Sequence, residues 1–155
     1  MERSITGFHR DDENDWVAEL DCGHGQHVRH RPPFFNRPWV VTESGRNEKL
    51  GLKLDCVRCD RREMPETASC YQSTPVFSEK TLPAALLKQH TTATGTWARV
   101  IVTAGEIGCR IHEPVNQHFQ VTPAHPGIIP PEITHCLEPR GAVELYIEFY
   151  RLQQT

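Results

Sequence analysis

Four side chains in the first half of the chain have the chemistry of metal ligands. Cys22 and His24 are separated by one glycine, and Cys56 and Cys59 form a Cys-x-x-Cys pair further along. Thiolate and imidazole are common zinc ligands, and structural zinc sites fill all four tetrahedral positions with protein side chains. The two pairs therefore predict one structural Zn²⁺ ion held by Cys22, His24, Cys56 and Cys59.

The identity of the histidine ligand is open on sequence alone. His27 and His30 follow His24 at intervals of three residues, and His27 could replace His24 if the turn opened differently. We prefer His24, because Gly23 tolerates the tight bend that points both of its neighbours at one ion. With every position filled by protein, the zinc is expected to stabilise the fold rather than to catalyse a reaction.

Short strands are predicted around the first ligand pair. Residues 4–9 and 16–20 alternate between apolar and polar types, and the acidic run 11–15 between them is typical of a hairpin turn. The second strand leads directly into Cys22, and residues 26–30 predict a third strand. So short a module buries little apolar surface, so metal binding is expected to contribute to its folding.

The composition is that of a soluble globular protein. The apolar fraction is 37%, and the net charge of −3 gives no general attraction to nucleic acid or anionic lipid. The first residues include no apolar stretch, so no membrane partner is predicted and a cytoplasmic location is expected. In a reducing compartment the cysteines are thiols or metal ligands. Cys70, Cys109 and Cys136 are predicted to be small buried or half-buried side chains.

The character of the sequence changes near residue 68. We predict a zinc-binding β domain over residues 1–65, a linker over 66–75 and a second β domain over 76–155. In the last of these, strands are expected at 97–103, 106–111, 118–121 and 142–151, after a short helix or strand start at 81–89. Short strands broken by glycine and proline favour a sandwich or a small barrel.

Two runs in the second half resemble the motifs of the cupin superfamily. In IIPPEITHCLEP a proline turn leads to His135 at the start of a strand, as in the second cupin motif. His90 stands near the place of the first histidine of the first motif, and Gly105 matches the glycine that ends it. The usual second histidine falls at Thr92 and the usual glutamate near residues 96–97, so the four cupin ligands are reduced to two.

A closer resemblance covers nearly the whole chain. The pattern LPxxLLxxHTTxxGTW, the PPExxH turn and the ending ELYIEFYR resemble the small cupin-like domain found at the start of some tellurite-resistance proteins and alone in stress-related proteins. The run GFHRDDENDWVAELDCGHGQHVRHRPPFFNRPWV is similar to an uncharacterised, zinc-ribbon-like bacterial domain that often precedes it. The resemblance implies a mainly β chain, with a small zinc-stapled β module followed by a cupin-like double-stranded β-barrel.

The same resemblance implies a second site inside the barrel, at His90 and His135. Glu148 on the closing strand would complete a set of two histidines and one carboxylate, which suits Fe²⁺, Mn²⁺, Ni²⁺ or Zn²⁺ with open positions. Alternation along that strand leaves the direction of Glu148 open, because it points inward only if the polar face lines the cavity. Glu106 and His118 are fallback ligands, and the alternative is a metal-free barrel with hydrogen-bonded histidines.

A basic and aromatic surface follows the first ligand pair. Its residues are Arg29, His30, Arg31, Phe34, Phe35, Arg37 and Trp39. Such faces hold nucleic acid or phosphate groups by charge and stacking. The acidic balance of the whole chain argues against a nucleic-acid partner.

Three functions are consistent with these features. The favoured one is a cytoplasmic metal-binding cupin-like protein that binds or senses a small organic acid or oxyanion in the response to tellurite, other oxyanions or oxidative stress. The second is an iron-dependent cupin-type dioxygenase that uses His90, His135 and Glu148. The third is a zinc-stapled interaction module for protein or nucleic acid. No catalytic residue is assigned, and a homodimer is expected because cupins often pair.

Overall fold

The computed structural model describes residues 1–153, and the chain divides into two compact units. The first comprises Met1–Arg58 and the second begins at Cys59. The division falls inside a helix of four residues, so Cys59 directly follows the last residue of the first unit. No helix in the described part of the chain is long and apolar enough to cross a membrane.

The first unit is built on one antiparallel sheet of four strands in the order β3-β2-β1-β4. Its elements are β1 (Glu2–Arg10), β2 (Trp16–Leu20), β3 (Gly25–His27), a 3-10 turn (Pro38–Val41), α1 (Glu43–Asn47), β4 (Lys53–Asp55) and α2 (Val57–Asp60). The last of these helices crosses the boundary between the units. The predicted hairpin is present, with Arg10 opposite Trp16 at its closed end.

The hairpin turn is held by one aspartate. The carboxylate of Asp11 accepts hydrogen bonds from the backbone N–H groups of Glu13 and Asp15, at 3.0 and 2.9 Å. Asn14 adopts the left-handed conformation with φ of 63°, which asparagine tolerates better than most residues. An aspartate side chain that bonds its own following backbone is a common way to fix a turn.

The core of the first unit is small. Ile5, Ala18, Leu20, Val28 and Val40 are each at most 3% exposed. A domain of this size buries a modest share of its surface, and such domains commonly need a metal or disulfides as well. The contribution of a metal to the folding of this unit stays a prediction.

The second unit contains two antiparallel sheets. One has the order β10-β9-β12-β7 and the other β11-β8-β13-β5, with β6 also paired to β13. The strands are β5 (Ala68–Ser73), β6 (Phe77–Ser78), β7 (His90–Thr91), β8 (Thr96–Gly105), β9 (Ile107–Glu113), β10 (Gln117–Val121), β11 (Gly127–Ile129), β12 (Thr134–Glu138) and β13 (Val143–Leu152). A 3-10 turn covers Ala84–Leu87.

The prediction of a mainly β chain is confirmed, but the strands of the described residues form no closed barrel. A barrel needs each strand to pair on both sides. Here β10 and β7 end one sheet, while β11 and β5 end the other, and no ladder joins these edges. The segment 66–75, for which the sequence predicts a linker, contains β5, which pairs with β13.

The core of the second unit lies between the inward faces of the two sheets. Its largest fully buried side chains include Val100 and Leu145 from one sheet and Ile107 and Ile111 from the other. Along β13 the buried residues alternate with more exposed ones, as a strand with one face on the core requires.

Candidate metal centre and ligand cavity

The first ligand pair lies in the tight turn that joins β2 to β3. The N–H of Leu20 donates to the carbonyl of His24 at 2.9 Å, and the N–H of Gly23 donates to the carbonyl of Leu20 at 2.8 Å. Gly23 has φ of 91°, a conformation in which a side chain would be strained. The turn therefore places Cys22 and His24 on the same side of the bend.

The second pair follows β4. The N–H of Cys56 donates to the carbonyl of Met1 at 2.8 Å, which fixes the entry of this segment against the start of β1. Cys59 lies in α2, and the N–H of Arg62 donates to its carbonyl at 2.9 Å. One helical turn thus brings the two sulfur atoms of the pair toward the same point.

All four potential ligands meet in the interior. Their ligand atoms lie within 4.8 Å of one another, and each of the four residues is buried. The Sγ atoms of Cys22 and Cys56 are 3.9 Å apart, and Nδ1 of His24 is 3.5 Å from the first and 3.3 Å from the second. A tetrahedral zinc ion with bonds of about 2.3 Å to sulfur sets its sulfur ligands about 3.8 Å apart.

These distances fit a Zn²⁺ ion. A cluster of three thiols and one imidazole from two turns is the donor set of structural zinc sites, and it leaves no position for a substrate. The cluster could therefore hold a metal such as zinc. Bound there, the ion would tie the turn after β2 to the segment after β4.

The other histidines of this region have separate roles. Nε2 of His27 is 2.7 Å from a carboxylate oxygen of Asp11 on the surface. Nδ1 of His30 accepts the backbone N–H of Arg37 at 3.0 Å. The structure thus brings His24, and not His27, together with the three cysteines.

The second unit has a partly open cavity of about 350 Å³ that is lined by residues of both sheets. The apolar part of its wall includes Leu86, Ala98, Val100, Ile129, Leu137, Ile147 and Phe149. The polar part includes Gln72, His90, Thr91, Thr96 and His135. No carboxylate and no lysine or arginine is among the described residues of the wall. A volume of this size and a mostly apolar wall are typical of small-molecule sites.

His90 and His135 lie together in the wall of this cavity. They face each other across the β7–β12 pair, and their ring centroids are 5.5 Å apart at an angle of 80°. Nδ1 of His135 is 2.8 Å from the carbonyl oxygen of Ile133, so this nitrogen carries the proton and donates it. In the neutral ring Nε2 is then left as an acceptor.

Burial keeps His135 neutral. It lowers the pKa of His135 below its usual value, and the nearby His90 and His112 act in the same direction, while the bond to the carbonyl of Ile133 opposes them. His135 is 4% exposed, so the cost of charging it is that of placing a cation away from water. The lowered pKa of His135 favours its neutral form in the cavity wall.

Thr92 joins the two segments that carry His90 and His135. Its hydroxyl donates to the carbonyl of Pro130 at 2.7 Å and accepts the N–H of Ile133 at 3.3 Å. Thr92 therefore ties the strand of His90 to the turn before His135. The spacing of residues in the sequence did not indicate this role of Thr92.

The structure does not bring Glu148 to the two histidines. Ile147 and Phe149 line the cavity, so Glu148, between them on β13, points to the opposite face. There it accepts the hydroxyl of Tyr150 at 2.6 Å and lies opposite Arg99 of β8. The alternation of residue types along this strand did not decide which of its two faces lines the cavity.

The fallback ligands also lie away from the cavity wall. Nε2 of His118 is 3.0 Å from the carboxylate of Glu138, which also accepts Nε of Arg110 at 2.8 Å. These contacts hold the pKa of Glu138 below its usual range, chiefly through the Arg110 hydrogen bond. Glu106 is exposed in the turn between β8 and β9. Sequence reasoning also missed Gln72, which reaches the cavity from β5.

Two family models match the chain. The model described as a protein of unknown function, DUF3565, matches residues 6–63, and that of the TehB-like domain matches residues 72–147. The resemblance to an uncharacterised domain followed by the domain of tellurite-resistance proteins is confirmed at this level. The matches do not establish a cupin-like fold.

Solved structures resemble part of the chain. TehB from Haemophilus influenzae is 26% identical, with a TM-score of 0.52, over 57% of this chain and 33% of its own. A protein from Escherichia coli strain K12, a Northeast Structural Genomics Consortium target, is 21% identical, with a TM-score of 0.55, over 59% of this chain and 98% of its own. This chain thus spans about a third of TehB. No curated protein matches it.

Proposed function

We propose that the chain binds a small ligand in the cavity of its TehB-like unit, as part of a response to tellurite, other oxyanions or oxidative stress. In this proposal the first unit is stabilised by one structural zinc ion. The observation that carries it is the cavity of about 350 Å³ with His90 and His135 in an otherwise mostly apolar wall. The similarity to TehB supports the link to tellurite.

The polarity of the wall indicates what kind of ligand fits. Nε2 of a neutral His135 accepts a hydrogen bond, so it favours a ligand that carries a hydroxyl or another donor. No charged side chain in the described wall would balance a fully ionised oxyanion. The site thus suits a small hydroxylated acid bound in its protonated form, or an oxyanion that retains a proton.

The dioxygenase alternative has weaker support. Iron centres of that kind use two histidines and one carboxylate. His90 and His135 could supply two ligands to a divalent ion, but Glu148 lies on the other face of β13. A second metal here would take its remaining ligands from water or from the bound molecule.

The cytoplasmic location and the homodimer remain predictions.

Binding can be measured by calorimetry on the whole 155-residue chain. The probes are tellurite, a short hydroxy acid and the matching acid without the hydroxyl. We expect the hydroxylated acid or tellurite to bind, and the unsubstituted acid to bind more weakly by about tenfold, the worth of one buried hydrogen bond. His90→Gln and His135→Gln should abolish binding.

Glu148→Gln is the matched control. It changes a carboxylate that lies next to the cavity in sequence but on the opposite face of β13, so it should leave binding unchanged. The proposal fails if none of the three probes binds. It also fails if Glu148→Gln weakens binding as much as the histidine variants do.

A further inference from the structure

We propose that the first unit has an anion site, distinct from its four metal ligands, in which Arg10, Arg29 and Arg31 hold a phosphate group or a similar tetrahedral oxyanion. This site is independent of the cavity described above. It uses part of the basic surface that follows the first ligand pair, together with the end of the β-hairpin.

The three arginines line one depression of about 180 Å³, with Asn14, Asp15 and Trp16. That volume is equivalent to about six water molecules, which is enough for one oxyanion of five heavy atoms. The lining includes three arginines and one carboxylate, so the lining residues have a surplus of positive charge. The surplus is local, because the chain as a whole has a net charge of −3.

Asp15 fixes the position of two of the guanidinium groups. One of its carboxylate oxygens accepts Nε of Arg29 at 2.7 Å, and Nη2 of Arg31 lies 2.9 and 3.1 Å from the two oxygens. Each guanidinium has five N–H donors, and these bonds use one nitrogen of each. The other nitrogens remain for an anion. Guanidinium groups bind phosphate oxygens in pairs, which gives both strength and orientation.

The turn that carries Asp15 is itself preorganised. The N–H of Asp11 donates to the carbonyl of Asp15 at 3.0 Å, and the N–H of Asp15 returns a bond to the Asp11 carboxylate at 2.9 Å. The backbone bond from Asp15, followed by the contact with His27, holds the pKa of Asp11 below its usual range. The turn thus keeps its bonds at neutral pH, and little ordering is left for an anion to induce.

Arg10 is placed by the other end of the same turn. Its Nη1 donates to the side-chain oxygen of Asn14 at 2.8 Å, and its guanidinium lies 4.7 Å from the ring centre of Trp16. The guanidinium of Arg46 lies 3.8 Å from the same ring. An arginine stacked on an indole loses water from its face but keeps its donors at the edge. Trp16 also supplies a spectroscopic reporter within the site.

The test is a titration of the whole chain with inorganic phosphate at low ionic strength, followed by NMR of the arginine Nε–H and Trp16 indole signals. Sodium chloride at matched ionic strength is the blank, since general screening acts over about 10 Å at 0.1 M salt. We expect saturable shifts at Arg10, Arg29, Arg31 and Trp16. A single-stranded oligonucleotide in a second titration distinguishes a free phosphate group from a nucleic-acid backbone.

Arg31→Gln is the informative variant. The Arg31 side chain is 62% exposed, so its loss should not unfold the unit. We expect binding to weaken by about tenfold, the worth of a charge-assisted hydrogen bond. Arg140→Gln removes an exposed arginine of the second unit and should change nothing. The proposal is overturned by equal weakening in both variants, by absence of saturable shifts, or by shifts with the oligonucleotide alone.

Discussion

His135 lies opposite His90 on the neighbouring antiparallel strand, and the two imidazole rings meet edge to face with their centroids 5.5 Å apart. Within the described part of the chain, only the His135 ring of this pair has a backbone partner that fixes its proton, namely the carbonyl of Ile133. The two histidines therefore differ, because the backbone fixes the position of the ring proton in His135. Both residues line the cavity, and His90 is the more exposed member.

This geometry predicts the tautomer of His135. We expect the ring to be neutral at pH 7, with its proton on Nδ1, because Nδ1 lies 2.8 Å from a carbonyl oxygen that can only accept. Nitrogen-15 NMR of the two ring nitrogens measures this directly. His27, which is half exposed and paired with Asp11, provides an internal comparison. A proton on Nε2 of His135 would contradict the placement of the ring.

Removal of a single cysteine sulfur from the zinc cluster is predicted to unfold the first unit and to leave the second unit folded. Cys59→Ser should lose the metal and unfold the first unit, because metal binding in zinc-finger peptides contributes about 10–16 kcal/mol to folding. Elemental analysis of protein purified without a metal-affinity tag should give one zinc per chain before the change and none after it. NMR spectra should retain the dispersed signals of the second unit.

His27→Ala is the matched control for the zinc prediction. Its surface pair with Asp11 is half exposed, so the change should cost no more than about 1 kcal/mol and leave the zinc in place. His24→Ala, in contrast, should reduce zinc binding strongly. Loss of zinc in the His27 variant and retention in the His24 variant would reverse the assignment of the ligand.

The zinc cluster was the part of the structure that could be predicted most directly from the sequence. Its ligands come from two tight turns, and local spacing is sufficient to place the two members of each pair. The choice of His24 followed from Gly23, whose φ of 91° is a property of the turn itself. The bond from Cys56 to the Met1 carbonyl joins distant segments, so spacing gave no sign of it.

The cavity was harder to predict from the sequence, because its lining depends on which face of each strand points inward. Alternation divides β13 into two faces but does not say which one packs on the core, and the structure places Ile147 and Phe149 there and Glu148 outside. β5 was missed for a related reason. Its residues are mostly exposed edge-strand residues, without the apolar run that marks a buried strand.

The thiols are predicted to react in a fixed order. Cys70 is exposed, whereas burial raises the pKa of Cys109 to about 12. Burial also raises the pKa of Cys136. Since the thiolate is the reactive form, Cys70 should be alkylated first. Mass spectrometry after iodoacetamide should find one fast site in the zinc-loaded chain, four after chelation and all six after denaturation. Alkylation of Cys109 as fast as Cys70 would contradict its burial.

Gly105 tests the turn between β8 and β9. It has φ of 76°, and a Cβ atom there would lie 2.2 Å from the carbonyl oxygen of Ala142. Gly95 has φ of 66° but no atom within 4 Å of the same position. Gly95→Ala should therefore cost only the backbone strain, about 1–2 kcal/mol, whereas Gly105→Ala adds a clash with backbone and should cost at least about 3 kcal/mol.

Urea unfolding of the second unit separates the two contributions, because both variants exchange the same hydrogen for the same methyl group. The difference between their free energies of unfolding then measures the close approach of Ala142 alone. Equal losses would mean that the chain next to Val143 does not pack against this turn, although Val143 is paired with Gly105 in the β8–β13 ladder. A larger loss for Gly105→Ala means that the glycine is required by the contact between two strands, and not only by the turn.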